Sequence, residues 1–124
     1  MKPLKVLIVD DDPPTCSLLE TILKMEGCQT ASAHEIEDKD LLALLKNEQP
    51  DILVLDYHLN SHETLAHLDP IRNDPRWAGL GILMMSGVDY SEECLAAGAD
   101  DFVLKPFDWQ DMTAAIDKIS KKIS

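Results

Sequence analysis

Several short runs of this chain are apolar at every position, and such runs restrict the folds that it can adopt. The clearest are VLIV at 6–9, ILVL at 52–55 and ILMM at 82–85. A strand with one face in water alternates apolar and polar residues, whereas continuous apolar runs are typical of parallel strands that are covered on both faces. Helical patterns lie between the runs, so the sequence predicts a doubly wound α/β domain with a five-stranded parallel sheet.

The elements follow one another as five strand–helix units. Strands are predicted at 4–10, 28–33, 51–56, 81–86 and 101–104. Helices are predicted from about Pro14 to Gly27, over 38–47, 63–73 and 91–99, and from about Asp108 onward. Asp12 is expected to cap the first helix, which the following prolines help to start. No repeat or linker divides this pattern, which predicts a single domain over 1–124.

Polar residues follow the strong strands at one edge of the predicted sheet. They are Asp10, Asp11 and Asp12 after the first strand, Asp56 at the end of the third, Ser86 at the end of the fourth, and Lys105 with Pro106 after the fifth. Doubly wound sheets bind ligands beyond the carboxyl ends of their strands, so these groups are expected to share one site. Clustered carboxylates suit Mg²⁺, a lysine and a hydroxyl can bind phosphoryl oxygens, and a carboxylate can be a nucleophile.

The composition argues against several other kinds of function. A net charge of -12 disfavours nucleic acid as a direct partner of this domain. Cys16, Cys28 and Cys94 are too far apart for a zinc site and are expected to be reduced packing residues. The apolar runs are shorter than a membrane span and the N-terminus does not resemble a signal peptide, so a soluble cytoplasmic domain is expected.

Four motifs of this chain together resemble the receiver domains of two-component response regulators. They are VLIVDDD (6–12), PDILVLD (50–56), ILMMSG (82–87) and DDFVLKPF (100–107), and their order and approximate spacing follow that family over essentially the whole chain. The resemblance implies a flavodoxin-like (βα)5 fold with strand order 2-1-3-4-5. It also implies a signalling domain rather than an enzyme, one that catalyses at most its own phosphotransfer and dephosphorylation.

The same resemblance implies a role for each polar residue at the strand ends. Asp56 would be the phosphoacceptor. A Mg²⁺ or Mn²⁺ ion would be bound by Asp11, Asp56 and the backbone carbonyl of His58, with Asp10 assisting through water. The remaining implied roles are phosphoryl binding by Ser86 and Lys105, space for the phosphoryl group at Gly87, an aromatic switch at Phe102, and a cis peptide bond between Lys105 and Pro106.

The implied mechanism is transfer of a phosphoryl group between two proteins. A sensor histidine kinase or a histidine phosphotransfer protein would donate the group to Asp56 in a Mg²⁺-dependent reaction. The face formed by the fourth helix, fifth strand and fifth helix would then change its preference for a partner. That partner would be a downstream protein or a second copy in a phosphorylation-dependent homodimer, with no direct binding of nucleic acid or membrane.

The chain departs from the usual pattern of that family in two segments. After Asp56 it reads YHLNSHETL, where the family commonly has an apolar–proline pair and then a glycine turn. The interval from Ser86 to Lys105 is about one helical turn shorter than usual, which predicts a short fourth helix. His58 and Val88 flank the expected phosphoryl site, where side chains often tune hydrolysis.

Two other functions remain open on the sequence alone. Asp10 and Asp12 form a D-x-D pair after the first strand, as in phosphatases of the haloacid dehalogenase type, where Asp10 would be the nucleophile. Those enzymes need a lysine before a later acidic pair, whereas here Asp100 and Asp101 precede Lys105. The second alternative is a receiver-like interaction module that is never phosphorylated. Identifying the phosphorylated residue distinguishes these possibilities.

Overall fold

The strands form one main sheet and a small hairpin. The computed structural model describes residues 3–123, so positions 1, 2 and 124 of the predicted domain lie outside it. The strands are β1 (Lys5–Val9), β2 (Gln29–Ala33), β3 (Ile52–Asp56), β4 (His58–Leu59), β5 (His62–Glu63), β6 (Gly81–Ser86) and β7 (Asp101–Leu104). The main sheet has the order β2-β1-β3-β6-β7, and β4 pairs with β5 alone. All main-sheet pairs are parallel, which confirms the predicted order 2-1-3-4-5.

Helices cover both faces of the main sheet, and this explains the uninterrupted apolar runs. They are α1 (Pro13–Met25), α2 (Leu41–Glu48), α3 (Leu68–Asn73), α4 (Ser91–Ala96) and α5 (Trp109–Ile123). Alternate residues of β1 enter different cores. Leu7 and Val9 belong to the core that contains the buried residues of α2, α3 and α4. Val6 and Ile8 belong to the core formed with α1 and α5. The doubly wound α/β fold is therefore confirmed.

The first helix begins where its capping residue and prolines predict. The carboxylate of Asp12 accepts a hydrogen bond from the Thr15 N–H at 3.3 Å, which confirms Asp12 as the N-cap. Pro13 and Pro14 occupy the first turn, where an N–H would have no partner within the helix. Gly27 follows the helix with a φ of 87°, a conformation that glycine adopts without strain.

The prediction of one helix over 63–73 is wrong in its first half. Residues 58–63 form the β4–β5 hairpin, with Asn60 at a φ of 54°. A 3₁₀ turn over Leu65–His67 precedes α3, which is only 6 residues long. Asparagine tolerates the left-handed conformation that a two-residue hairpin loop needs. Pro70 lies in the first turn of α3, so its missing N–H removes no helical hydrogen bond.

The second helix begins later than predicted. It starts at Leu41 rather than at 38, because Asp40 caps it by accepting a hydrogen bond from the Ala43 N–H at 3.0 Å. Asp38 lies in a preceding 3₁₀ turn with a φ of 53°, which is incompatible with a continuous α-helix.

The fourth helix is short, as the interval before Lys105 predicts, and it ends at Ala96 rather than at 99. Gly98 follows with a φ of 112°. The Arg72 side chain crosses this turn and donates hydrogen bonds to the carbonyls of Gly98, at 2.8 Å, and Leu80, at 2.7 Å. A Cβ at position 98 would lie 2.9 Å from the Arg72 Cγ, so both the turn and the arginine require glycine there.

The cysteines are unpaired and packed against other residues, as expected from their spacing. Cys16 and Cys94 are buried, and Cys28 is partly buried. Burial raises the pKa of both Cys16 and Cys94 to about 11, so these thiols stay protonated and unreactive near neutral pH. Within residues 3–123, no helix combines the length and the apolar character needed to cross a membrane.

Candidate functional site at the carboxyl edge of the sheet

The register of the central strands brings two aspartates to the same edge. Val9 of β1 pairs with Leu55 of β3 in a parallel ladder. An aspartate follows each of these two residues, so Asp10 and Asp56 lie side by side where the strands end. Both are buried, with 0% of Asp10 and 8% of Asp56 exposed. Two adjacent buried carboxylates repel each other, so they need a nearby positive charge.

Lys105 supplies that positive charge from the other side of the edge. Ser86 pairs with Leu104 across β6 and β7, and the Lys105 N–H donates to the Ser86 carbonyl at 2.8 Å. The Lys105 ammonium lies 2.8 Å from an Asp10 carboxylate oxygen and 3.4 Å from an Asp56 oxygen. One ammonium therefore bridges two carboxylates that arrive on different strands.

Asp11 completes a group of three carboxylates. One oxygen from each of Asp10, Asp11 and Asp56 can be chosen so that all three lie within 4.8 Å of one another. Asp11 is more accessible than the other two, and its carboxylate accepts a hydrogen bond from the Asn60 N–H at 2.8 Å. Hard oxygen donors at this spacing fit Mg²⁺, which is usually held by one or two carboxylates with water completing its coordination.

Asp10 is more fully engaged than the other two carboxylates. One of its oxygens accepts the Asp12 N–H at 2.9 Å, and the other accepts the Lys105 ammonium at 2.8 Å. Among residues 3–123, the Asp56 carboxylate receives from side chains only the longer Lys105 contact, so fewer hydrogen bonds hold it than hold the Asp10 carboxylate. The Asp10 carboxylate is therefore more tightly fixed by its neighbours than the Asp56 carboxylate.

The environment of Asp56 makes its ionisation unfavourable. Burial raises its pKa from 3.8 to about 6, and the charges of Asp10 and Asp11 act in the same direction, while Lys105 partly opposes them. A cation beside these carboxylates would favour the ionised form. The site thus combines a carboxylate whose ionisation is unfavourable with oxygen donors that suit a divalent metal.

The ionisation of Lys105 is coupled to these carboxylates. Burial alone would lower the pKa of its ammonium, but the hydrogen bond to Asp10 and the charge of Asp56 outweigh burial and raise that pKa above its ordinary value. Lys105 therefore remains positively charged throughout the neutral range. Its peptide bond to Pro106 is cis.

The other predicted site residues lie on the β6 and β7 side of the same edge. Ser86 is buried, and its hydroxyl oxygen accepts a hydrogen bond from the Val88 N–H at 3.2 Å. Next to it, Gly87 faces open space: apart from its two chain neighbours, none of residues 3–123 has an atom within 4 Å of the place where a Cβ would lie. Phe102 is partly buried on β7, opposite Met84, and packs against the core shared with α4.

An aromatic cluster lies beside the aspartates. Tyr57 stacks on Tyr90, just before α4, with ring centroids 4.0 Å apart and an interplanar angle of 12°. His58 meets the Tyr57 ring edge-on at 4.9 Å. The imidazole of His58 is exposed, and ligation by its backbone carbonyl stays a prediction.

Sequence reasoning missed Thr64, which lies under the aspartate loop. Its buried hydroxyl is 2.7 Å from the Asp56 carbonyl, and its N–H donates to the Tyr57 carbonyl at 2.8 Å. No local pattern marks a threonine for this role. The neighbouring pair Asn60–Ser61 did carry a usable signal, since asparagine favours tight hairpin turns.

Comparisons with known proteins identify the family to which this fold belongs. The family model described as "Response regulator receiver domain" matches residues 6–117. The DNA-binding dual master transcriptional regulator RpaA of Synechocystis sp. is 30% identical over 115 residues, which cover 90% of this chain and 47% of that protein. The chain spans about half the length of the curated relatives it matches.

Solved structures extend the comparison to the fold. A response regulator signal receiver domain from Bermanella marisrubri has a TM-score of 0.84 and 27% identity, covering 96% of this chain and 99% of that one. NtrX from Brucella abortus has a TM-score of 0.84 and 25% identity, covering 98% of this chain and 28% of that one. The similarity therefore includes both a chain of nearly this length and one part of a much longer chain.

Proposed function

This chain belongs to the response regulator receiver domain family, and on that premise we propose that Asp56 accepts a phosphoryl group from a phosphohistidine of a partner protein. The observation that carries this proposal is the position of Asp56. Its carboxylate lies at the strand edge, beside two other aspartates and within 3.4 Å of the Lys105 ammonium. A receiver is a signalling domain, so the transfer itself is the event that its partners detect.

The transfer exchanges one bond to phosphorus for another. A carboxylate oxygen of Asp56 attacks the phosphorus, the P–N bond to the imidazole breaks, and the leaving nitrogen takes up a proton. Asp11, Asp56 and the His58 carbonyl would hold Mg²⁺ or Mn²⁺, with Asp10 acting through water. Such an ion supplies charge neutralisation for the carboxylates and the phosphoryl oxygens.

Residues at the carboxyl ends of β6 and β7 then bind the phosphorylated aspartate. The Ser86 hydroxyl and the Lys105 ammonium bind phosphoryl oxygens, and the open space at Gly87 accommodates the group. Movement of Ser86 toward the phosphoryl group and of Phe102 inward alters the face formed by α4, β7 and α5. Slow hydrolysis at Asp56, tuned by His58 and Val88, returns the domain to its first state.

The proposed upstream partner is a sensor histidine kinase or a histidine phosphotransfer protein in the cytoplasm. The downstream partner is another protein or a second copy of this chain. RpaA is described as a DNA-binding regulator, but this chain carries a net charge of -12. A surface this acidic supports signalling through protein partners rather than direct contact of this domain with DNA.

The two alternative functions are not favoured. A phosphatase that used Asp10 as its nucleophile would need a reactive carboxylate there, yet Asp10 is 0% exposed and both of its oxygens accept hydrogen bonds. An interaction module that is never phosphorylated would not require this set of carboxylates, hydroxyl and ammonium around Asp56. Phosphorylation mapping tests both alternatives directly.

The test is incubation with acetyl phosphate and Mg²⁺, followed by intact-mass measurement. Wild type is expected to gain the mass of one phosphoryl group, and Asp56→Asn to gain none. Asp12→Asn is the matched control, because it removes a neighbouring carboxylate while asparagine keeps the helix cap. Folded wild-type protein that gains no mass, or a gain that persists in Asp56→Asn, would refute the proposal.

A further inference from the structure

Thr64 closes the base of the β4–β5 hairpin directly beneath the carboxylate site. Its side chain is 0% exposed. The hydroxyl donates to the Asp56 carbonyl at 2.7 Å and also lies 3.1 Å from the Tyr57 carbonyl, while the Thr64 N–H donates to that second carbonyl at 2.8 Å. One residue therefore contacts two successive carbonyls at the point where the chain leaves the main sheet.

These contacts fix the backbone of the segment that links Asp56 to His58. The Asp56 and Tyr57 carbonyls define the two peptide planes between the proposed phosphoacceptor and His58, whose carbonyl is a proposed metal ligand. On the other side, the Tyr57 N–H donates to the Met85 carbonyl at 2.8 Å. The segment is thus held between β6 and Thr64.

The tip of the same hairpin contacts the third carboxylate. The Asn60 N–H donates to Asp11 at 2.8 Å, and the positive φ of Asn60 sets the direction of that N–H. The hairpin between Tyr57 and Thr64 therefore touches the carboxylate site at its base and at its tip. A change in the contacts at the base of the hairpin would therefore alter the geometry at both Asp56 and Asp11.

We propose that Thr64 is a positioning residue for the carboxylate site. By fixing the backbone beside Asp56, its hydroxyl sets the affinity of the site for metal and the rate of phosphoryl transfer to Asp56. This inference rests on the proposed function and deepens it. The proposed role belongs to the hairpin of this chain, because the Thr64 hydroxyl binds the Asp56 carbonyl where the segment YHLNSHETL leaves the sheet. Removing a buried hydroxyl takes a hydrogen-bond partner from the carbonyl that it satisfied, which is costly for a buried group.

The test compares Thr64→Val, which keeps the shape and loses the hydroxyl, with Thr64→Ser, which keeps the hydroxyl. Ile119→Val is the control for lost stability, because Ile119 is buried at the opposite end of the sheet beside Gly81. Mn²⁺ binding is measured by electron paramagnetic resonance of the free ion, at a temperature where circular dichroism shows each variant fully folded. The rate of Asp56 labelling by acetyl phosphate is measured in parallel.

Thr64→Val is expected to weaken Mn²⁺ binding about tenfold, as removing a group that orients metal ligands commonly does, and to slow labelling. Thr64→Ser should restore most of both properties, and Ile119→Val should leave both unchanged. Equal Mn²⁺ affinity in wild type and Thr64→Val would overturn the positioning role, as would a wild type that binds no Mn²⁺. Normal Mn²⁺ binding without labelling of Asp56 would instead refute the proposed phosphoacceptor and leave the metal comparison decisive for Thr64.

Discussion

Replacing Asp56 by asparagine should stabilise the metal-free protein, although it removes the proposed phosphoacceptor. Asp56 is 8% exposed and lies beside two other carboxylates. Burial, followed by the charges of Asp10 and Asp11, raises its pKa from 3.8 to about 6 despite the opposing Lys105. Ionised Asp56 is therefore a net cost to the folded state, and asparagine keeps nearly the same shape without the charge.

The size of the effect follows from the two pKa values. The folded protein binds the Asp56 proton more tightly than the unfolded chain, so this group lowers stability as pH rises from about 4 to about 6. A shift from 3.8 to about 6 corresponds to about 3 kcal/mol above that range. The gain from Asp56→Asn should accordingly be about 3 kcal/mol near pH 7.5 and about half as large near pH 5.

Urea unfolding with a metal chelator at the two pH values measures this gain. Glu35→Gln is a suitable control, because Glu35 is an exposed carboxylate and its loss should change stability little. Added Mg²⁺ should stabilise wild type more than Asp56→Asn and so narrow the difference. Equal stabilities near pH 7.5 in chelator, or a gain that does not depend on pH, would refute the reasoning.

Three structural contacts lead to further predictions, each measured by urea unfolding. Asp12→Ala should cost about 1 kcal/mol by removing the α1 cap, and Asp12→Asn should not. Gly98→Ala should cost about 2 kcal/mol, because alanine is strained at a φ of 112° and its Cβ would meet Arg72. Tyr90→Leu should cost about 1 kcal/mol by removing the stack on Tyr57.

Each of these predictions has an outcome that would contradict it. If Asp12→Ala and Asp12→Asn are equally stable, the cap contributes nothing. Gly79 has no positive φ, and beyond its chain neighbours no described residue has an atom within 4 Å of the added Cβ, so Gly79→Ala should be harmless. A similar loss at both glycines would point to a cause other than strain. A fully stable Tyr90→Leu would mean that the ring contact is replaced by ordinary apolar packing.

The sequence predicts most of the site because a parallel sheet gathers its strand ends. The apolar run at 6–9 is typical of a strand covered on both faces, and the residue after such a strand is expected at the carboxyl edge of the sheet. The same reasoning applies to Asp56, Ser86 and Lys105. Their proximity therefore follows once five strands take the order 2-1-3-4-5, which the family resemblance implied.

Contacts that depend on loop shape could not be predicted in this way. The hydroxyl of Thr64 reaches Asp56 only because the chain turns at Asn60, and the helical pattern over 63–73 favoured a different conformation. Arg72 contacts the carbonyl of Gly98, 26 residues away, without any local signal in either segment. Such interactions are decided by tertiary packing rather than by periodicity or propensity.

The Lys105 ammonium, which bridges Asp10 and Asp56, also helps to set the net charge of the carboxylate site. With Asp10, Asp11 and Asp56 ionised and Lys105 protonated, the formal charges add to minus two. A divalent ion brings the sum to zero, whereas a monovalent ion leaves a negative charge and a trivalent ion creates a positive one. Uncompensated charge is costly on carboxylates as deeply buried as Asp10 and Asp56. From this charge balance we expect the carboxylate site to prefer divalent ions, and we expect monovalent ions to compete poorly even in large excess.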